Sequence, residues 1–189
     1  MIVAAGIVAM VLAMVIGPAF APPEFAWLRH STSEQAGQNT PGAWIMRAGF
    51  YAYGLAVLIA ALRDWSHWPA VRAALVVFGT GLLGAAFWSH APILPELSAD
   101  MHEDFLHSVA SGVVGTSFAL ACAARLFTAP GTMRDALAWA GLLISVAVPL
   151  AMLALPQVAG LLQRSMFAFS FVFLLREFGD PATSVASTR

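Results

Sequence analysis

The chain has 189 residues, of which 60% are hydrophobic and 10% charged, with a net charge of −1, against about 25% charged in a soluble domain. That balance, with a mean hydropathy of +0.79, excludes an ordinary soluble domain. All nine basic residues are arginines and they are scattered, which excludes a basic patch for nucleic acid.

Six apolar runs follow one another, each near the roughly 20 residues that cross a bilayer as helix. Residues 1–21 carry no charge. They lack the positive n-region of a signal peptide and fill a whole span, so they read as a helix, kinked at Pro18. The second run is 43–62, with Thr40 as N-cap and Pro41 at the first helical position. The third is 71–90, with Pro69 in its first turn, and the fourth is 104–127. The fifth is 135–155, opened by a capping box of Thr132 and Asp135 and kinked at Pro149. The sixth is 158–175, with Pro156 in its first turn. None alternates with period two, so barrel strands are excluded. The single cysteine, Cys122, lies in an apolar run and reads as a small buried side chain. The reading is an all-α membrane bundle of six transmembrane helices. One domain covers residues 1–178, and 179–189 form a mobile polar tail.

Arginines set the expected orientation. Arg63, Arg72, Arg125, Arg134, Arg176 and Arg189 fall on one side. Arg29, Arg47 and Arg164 fall on the other, with six acids: Glu24, Glu34, Glu96, Asp100, Glu103 and Asp104. The positive-inside rule then puts both termini in the cytoplasm, of a bacterial inner membrane on this reading. The inner face offers His67 and ordinary loop charges, which argues against a proton relay across the membrane.

The outer half gathers the chemistry. Arg164 lies about six residues inside the sixth span, or roughly 9 Å at 1.5 Å per residue, flanked by Gln163. It is expected either to snorkel or pair structurally, or to anchor an anion or headgroup. Arg47 shares a helix face with Tyr51. In the run Met-His-Glu-Asp-Phe-Leu-His, 101–107, Glu103 and Asp104 reach the face of His107. A carboxylate could orient that imidazole, or His30, His107, Glu103 and Asp104 could ligate a divalent metal such as zinc. His102 lies too far round the helix to make a metalloprotease pair with His107. In the first loop Ser31 and Glu34 have capping-box spacing, so a short surface helix is expected, aiming His30 or Glu34 at the bundle mouth. Gly79, Gly81 and Gly84 have the GxGxxG spacing but no preceding strand. They read as helix-packing positions, as do Ser108, Ser111, Gly112 and Gly115. A b-type haem would need His90 and His107 at matching depth and is disfavoured.

The segment His30-Ser-Thr-Ser-Glu34-Gln-Ala-Gly37, followed by Trp44-Ile-Met-Arg47-Ala-Gly-Phe-Tyr-Ala-Tyr53-Gly54, resembles domain-of-unknown-function family 998, small bacterial and archaeal six-helix membrane proteins. His107 opening the fourth span and Gln163-Arg164 on the sixth are similar to it too. The chain departs at Phe87-Trp88-Ser89-His90-Ala91-Pro92, where the family often has Phe-Pro. The resemblance implies the six-helix fold and these pocket residues, and no activity.

Together these features predict an outward-facing polar pocket. It would bind a small anionic ligand, a lipid headgroup or a partner membrane subunit through Arg164, Arg47, His107, Glu34, His30, Tyr51 and Gln163. The alternatives are a metal-assisted intramembrane hydrolase, with a carboxylate as general base, and a structural subunit.

Overall fold

The computed structural model describes residues 1–128 and 135–179. Among these residues the chain is all helical: α1 (Ile2–Ile16), a short α2 (Thr32–Gln35), α3 (Ala43–Arg63), α4 (Pro69–Phe87), α5 (Met101–Thr128), α6 (Ala136–Ala154) and α7 (Ala159–Gly179). Six are long and apolar enough to cross a membrane, α1 and α7 being lengthened by 3-10 turns at Gly17–Phe20 and Pro156–Val158. Each backbone group in such a helix bonds within its own segment, which is what lipid requires.

Local chemistry explains most boundaries. Pro69 occupies the first turn of α4 and Pro156 the first turn before α7. Pro18 does not kink a continuing helix: α1 stops at Ile16 and the chain tightens into the 3-10 turn. Pro149 lies inside an unbroken α6. Thr40 and Pro41 do not open α3. That helix begins two residues later, behind Gly42, whose φ of 73° is left-handed. A side chain there would also run into the Phe20 backbone, so glycine is required twice over. Asp135 caps α6, accepting from Ala138 N–H. Thr132, the other half of the expected capping box, lies outside the described residues, as do Arg134 and residues 180–189.

The helices pack in chain order. α3 lies between α1 and α4, α4 pairs with α5, α6 leans on α5 and α7, and α7 closes back on α1. The α3–α4 crossing is backbone to backbone. A Cβ on Gly54 would meet the Gly79 carbonyl at 2.9 Å and one on Gly79 would meet the Gly54 carbonyl at 2.8 Å, so Gly79 serves packing as expected. Tyr53 fills the centre, edge-on to Phe78, Phe167 and Phe171, with its hydroxyl 2.9 Å from Ser170 Oγ. α6 fully buries only Ala138 and Gly141, packs Leu137 and Leu142 against the core, and turns Leu143, Leu150 and Leu153 outward.

An ionic network ties the lower end, where the chain begins. Arg72 is wholly buried. It reaches Asp64 at 2.6 Å and Glu177 at 3.1 Å. Arg125 lies 3.8 Å from Asp135 and 3.7 Å from Glu177, and Arg176 grips Asp135 with bonds of 2.8 and 2.6 Å. Five helices are joined in this way. The expectation of ordinary loop charges is therefore corrected: Arg72 and Glu177 are buried residues of α4 and α7.

Candidate functional site

The upper end carries α2 and the long connections, and its arginines behave differently. Arg164 is buried, and its two terminal nitrogens bond main-chain and amide oxygens while Nε has no partner among the described residues. Nη1 donates to the carbonyls of Trp27 and His30, both at 2.8 Å, and Nη2 to Gln35 Oε1 at 3.2 Å. It also lies over the Trp27 ring, 4.6 Å from the ring centroid. Arg47 donates from Nε to Ala36 O at 3.0 Å and from Nη2 to Gly37 O at 3.4 Å. A carbonyl beside a buried cation gives a charge-assisted bond without the cost of burying a second charge. The described residues hold no salt bridge from either arginine to Glu34, Glu103 or Asp104.

These bonds fasten the first connection over the bundle. The capping box is present: Glu34 N–H donates to Ser31 Oγ and Ser31 N–H to Glu34 Oε2. Glu34 is thereby occupied within α2. The free N–H groups at the start of α7 are satisfied by the same connection, Gly160 donating to Arg29 O and Leu161 to Leu28 O. Gln38 knits the next layer, bonded to Ser89 O and to both main-chain groups of Asp100. Beside it, Gln38, Asn39, Arg47, Ser98, Asp100 and Glu103 rim an open recess of about 680 Å³.

The residues expected to form one wall separate into three groups. His30 accepts from Ala26 N–H and stays within its own turn. Tyr51 is 41% exposed and lies outside the core, which Tyr53 fills instead. Glu103 and Asp104 do not orient His107. They accept from Ser89 N–H and Ala91 N–H, both at 2.7 Å, and so hold the α4–α5 connection. Among the described residues no group of three His, Cys, Asp or Glu is placed to hold a metal ion. The set His30, His107, Glu103 and Asp104 is therefore not assembled. His90 stacks edge-on against His107 with its ring centre 5.6 Å away, and Asp104 lies 3.6 Å from its Nδ1.

Gln163 lines a narrow slot between α5 and α7, and His107 reaches it only through its neighbour Ser111. Its upper part, about 50 Å³, is lined by Ser33, Phe50, Leu82, Ala85, Ser111, Val114, Gly115, Gln163, Met166 and Phe167. An apolar continuation of about 30 Å³ shares Val114, Gly115, Met166 and Phe167 with it and adds Phe78, Phe118, Ser145 and Ser170. Gly112 and Gly115 do not pack against another helix: a Cβ on either would meet nothing within 4 Å. Gln163 Oε1 accepts from both Thr32 N–H and Thr32 Oγ–H at 2.7 Å. An N–H partner fixes that atom as the oxygen, so the amide nitrogen has no protein partner among the described residues. Ser33, more than nine-tenths buried, lines the same space with its hydroxyl likewise unpartnered. Gln163 is half-buried, and both residues border this space.

His107, 1% exposed, borders this space through Ser111. Its Nδ1 lies 3.0 Å from Ala85 O and 2.9 Å from Trp88 O, and Ser111 Oγ lies 3.3 Å from its Nε2. Both carbonyls are acceptors left free at the end of α4, so Nδ1 carries the proton and Nε2 presents its lone pair to Ser111. Ser33 and Tyr53 carry no local signal of their place in the fold, and Ser111 lies beside the cavity rather than in the helix-packing role its spacing suggests. The i, i+4 spacing of His107 and Ser111 was the available signal.

The fold defines an all-α membrane protein with six helices long and apolar enough to span a bilayer. The chain belongs to the family described as protein of unknown function (DUF998), which matches residues 3–175, nearly its whole length. No curated protein and no solved structure matches it.

Proposed function

We propose that the protein binds a membrane amphiphile in the slot between α5 and α7, its polar group against Ser33, Ser111 and Gln163 and its chain along Val114, Met166 and Phe167. The observation that carries this is the pair of unpartnered groups, the Ser33 hydroxyl and the Gln163 amide, facing one space. Such convergence of a few polar groups in an otherwise apolar cleft is how small-molecule sites are built. The polar groups offered are neutral, and Arg164 and Arg47 serve to hold the first connection as a roof over the site. A hydroxyl or ester group fits that chemistry better than a free anion. The apolar stretch beneath, and the open flank at Gly112 and Gly115, suit entry from the lipid side.

The orientation that goes with this reading places α2 and the roof outside and both termini in the cytoplasm of a bacterial inner membrane. It is supported by Arg63, Arg72, Arg125 and Arg176 at the lower end. Native mass spectrometry of the protein purified in mild detergent tests the binding. A stoichiometric amphiphile should be retained, and Gln163→Leu should lose it. A protein free of bound amphiphile under conditions that keep it folded would refute the reading. Cysteines placed at the exposed Ser98 and Ser66 test the orientation, Cys122 being buried. A membrane-impermeant thiol reagent should label the first from outside intact cells and not the second.

A further inference from the structure

Resting on that reading of the slot, we infer that Ser111 and His107 form a nucleophile–base pair that cleaves a carboxylic ester of the bound amphiphile. The parts are in the relation such chemistry needs: a hydroxyl within reach of an imidazole nitrogen, and that imidazole held by a third group. Ser111 Oγ faces His107 Nε2 at 3.3 Å, a loose contact of the kind that tightens when substrate binds. The holding group is the pair of carbonyls of Ala85 and Trp88, which fix Nδ1–H as an aspartate does in a triad.

Ser111 also differs from several other hydroxyls in these helices. Thr80, Ser117, Thr128 and Ser145 each donate to the carbonyl four residues back, the usual resting place of a helical hydroxyl in lipid. Ser111 is bonded to the His107 ring instead, and its side chain opens on the cavity. The Gln163 amide and the Ser33 hydroxyl line the same cavity, and both can donate to a developing oxyanion. The space takes a few heavy atoms, enough for the ester group, with its chains left in the apolar part and in lipid.

The step balances with water as the only co-reactant. Ser111 Oγ bonds to the ester carbonyl carbon while its proton passes to His107 Nε2. The tetrahedral adduct expels the alcohol, which takes that proton. Water then attacks the acyl-serine, giving its proton to His107, which returns it to Ser111 Oγ as the carboxylic acid leaves.

The test is labelling of the full-length protein in detergent with a long-chain alkyl fluorophosphonate, in which serine displaces fluoride at phosphorus. Adduct mass on the peptide containing Ser111 is read beside retained amphiphile by native mass spectrometry. Labelling should occur at Ser111, vanish in Ser111→Ala, and slow by about a hundredfold in His107→Gln. In the unmutated protein the labelling rate should fall as acid protonates the imidazole, a readout that needs no variant to fold. Amphiphile retained with Ser111 unlabelled, or a label on another serine, overturns the pair and leaves the binding reading standing. Neither amphiphile nor label overturns both.

Discussion

The two ends of the bundle use arginine in opposite ways. At the lower end Arg72, Arg125 and Arg176 meet Asp64, Asp135 and Glu177, so charge is matched by charge and five helices are clamped. At the upper end Arg164 and Arg47 meet carbonyls of the first connection, and Glu103 and Asp104 meet N–H groups of the α4–α5 connection. A helix-to-helix ion pair fixes only the distance between two rods. A charge bonded to main chain fixes an irregular segment, which otherwise brings unsatisfied polar groups to the membrane. The lower end is thus a clamp, and the upper end is a roof with space beneath it.

The largest effect is expected at Arg72, the centre of the lower clamp. Arg72→Leu leaves Glu177 buried beside Asp64 without its closest cation and should cost about 3–5 kcal/mol. Thermal unfolding in detergent measures it, and a loss near zero would show that the network is idle. Arg164→Leu should cost less, about 1.5–3 kcal/mol for charge-assisted bonds. Its loss should appear first as faster proteolysis within residues 21–31, which an Arg72 variant should not show. Arg164→Lys should recover little, since an ammonium cannot reach two carbonyls and Gln35 with one planar fork. Ser31→Ala removes one side of the capping box and should cost about 1 kcal/mol, again confined to the roof.

Acid sharpens the contrast more gently. The Arg176 guanidinium, by hydrogen bonding, holds the Asp135 carboxyl below its ordinary value of 3.8. A carboxyl lowered on folding contributes its full stability above the unfolded value and loses it as pH falls through the folded one. Stability should therefore be level above about pH 5 and fall below 3.8. Asp135→Asn should flatten part of that fall when melting is followed against pH.

What was legible in the sequence was what depends on neighbours in the chain. Length and hydropathy show the six spans, and the Ser31–Glu34 spacing shows the cap, because both are local. Arg164 was visible as a charge inside a span, but its partners lie 137 and 134 residues away, and no local pattern tells a carbonyl from a carboxylate at that range. Arg72 and Glu177 sit at the ends of apolar runs, where snorkelling is the default expectation. Only the approach of α4 to α7 buries them. Gly112 and Gly115 have the spacing of a packing face, and only the structure shows that no helix packs there.

That empty flank gives the most direct test of the claim that the upper end holds a ligand site rather than a second clamp. Gly115 lines both parts of the slot and would meet no atom with an added Cβ. Gly115→Leu should therefore fold as well as the unmodified protein while its side chain fills the slot. Melting temperature and retained amphiphile are measured on the same preparation, by thermal unfolding and native mass spectrometry. The expected result is an unchanged or higher melting temperature with the amphiphile gone. An amphiphile retained in full at unchanged stability would contradict it.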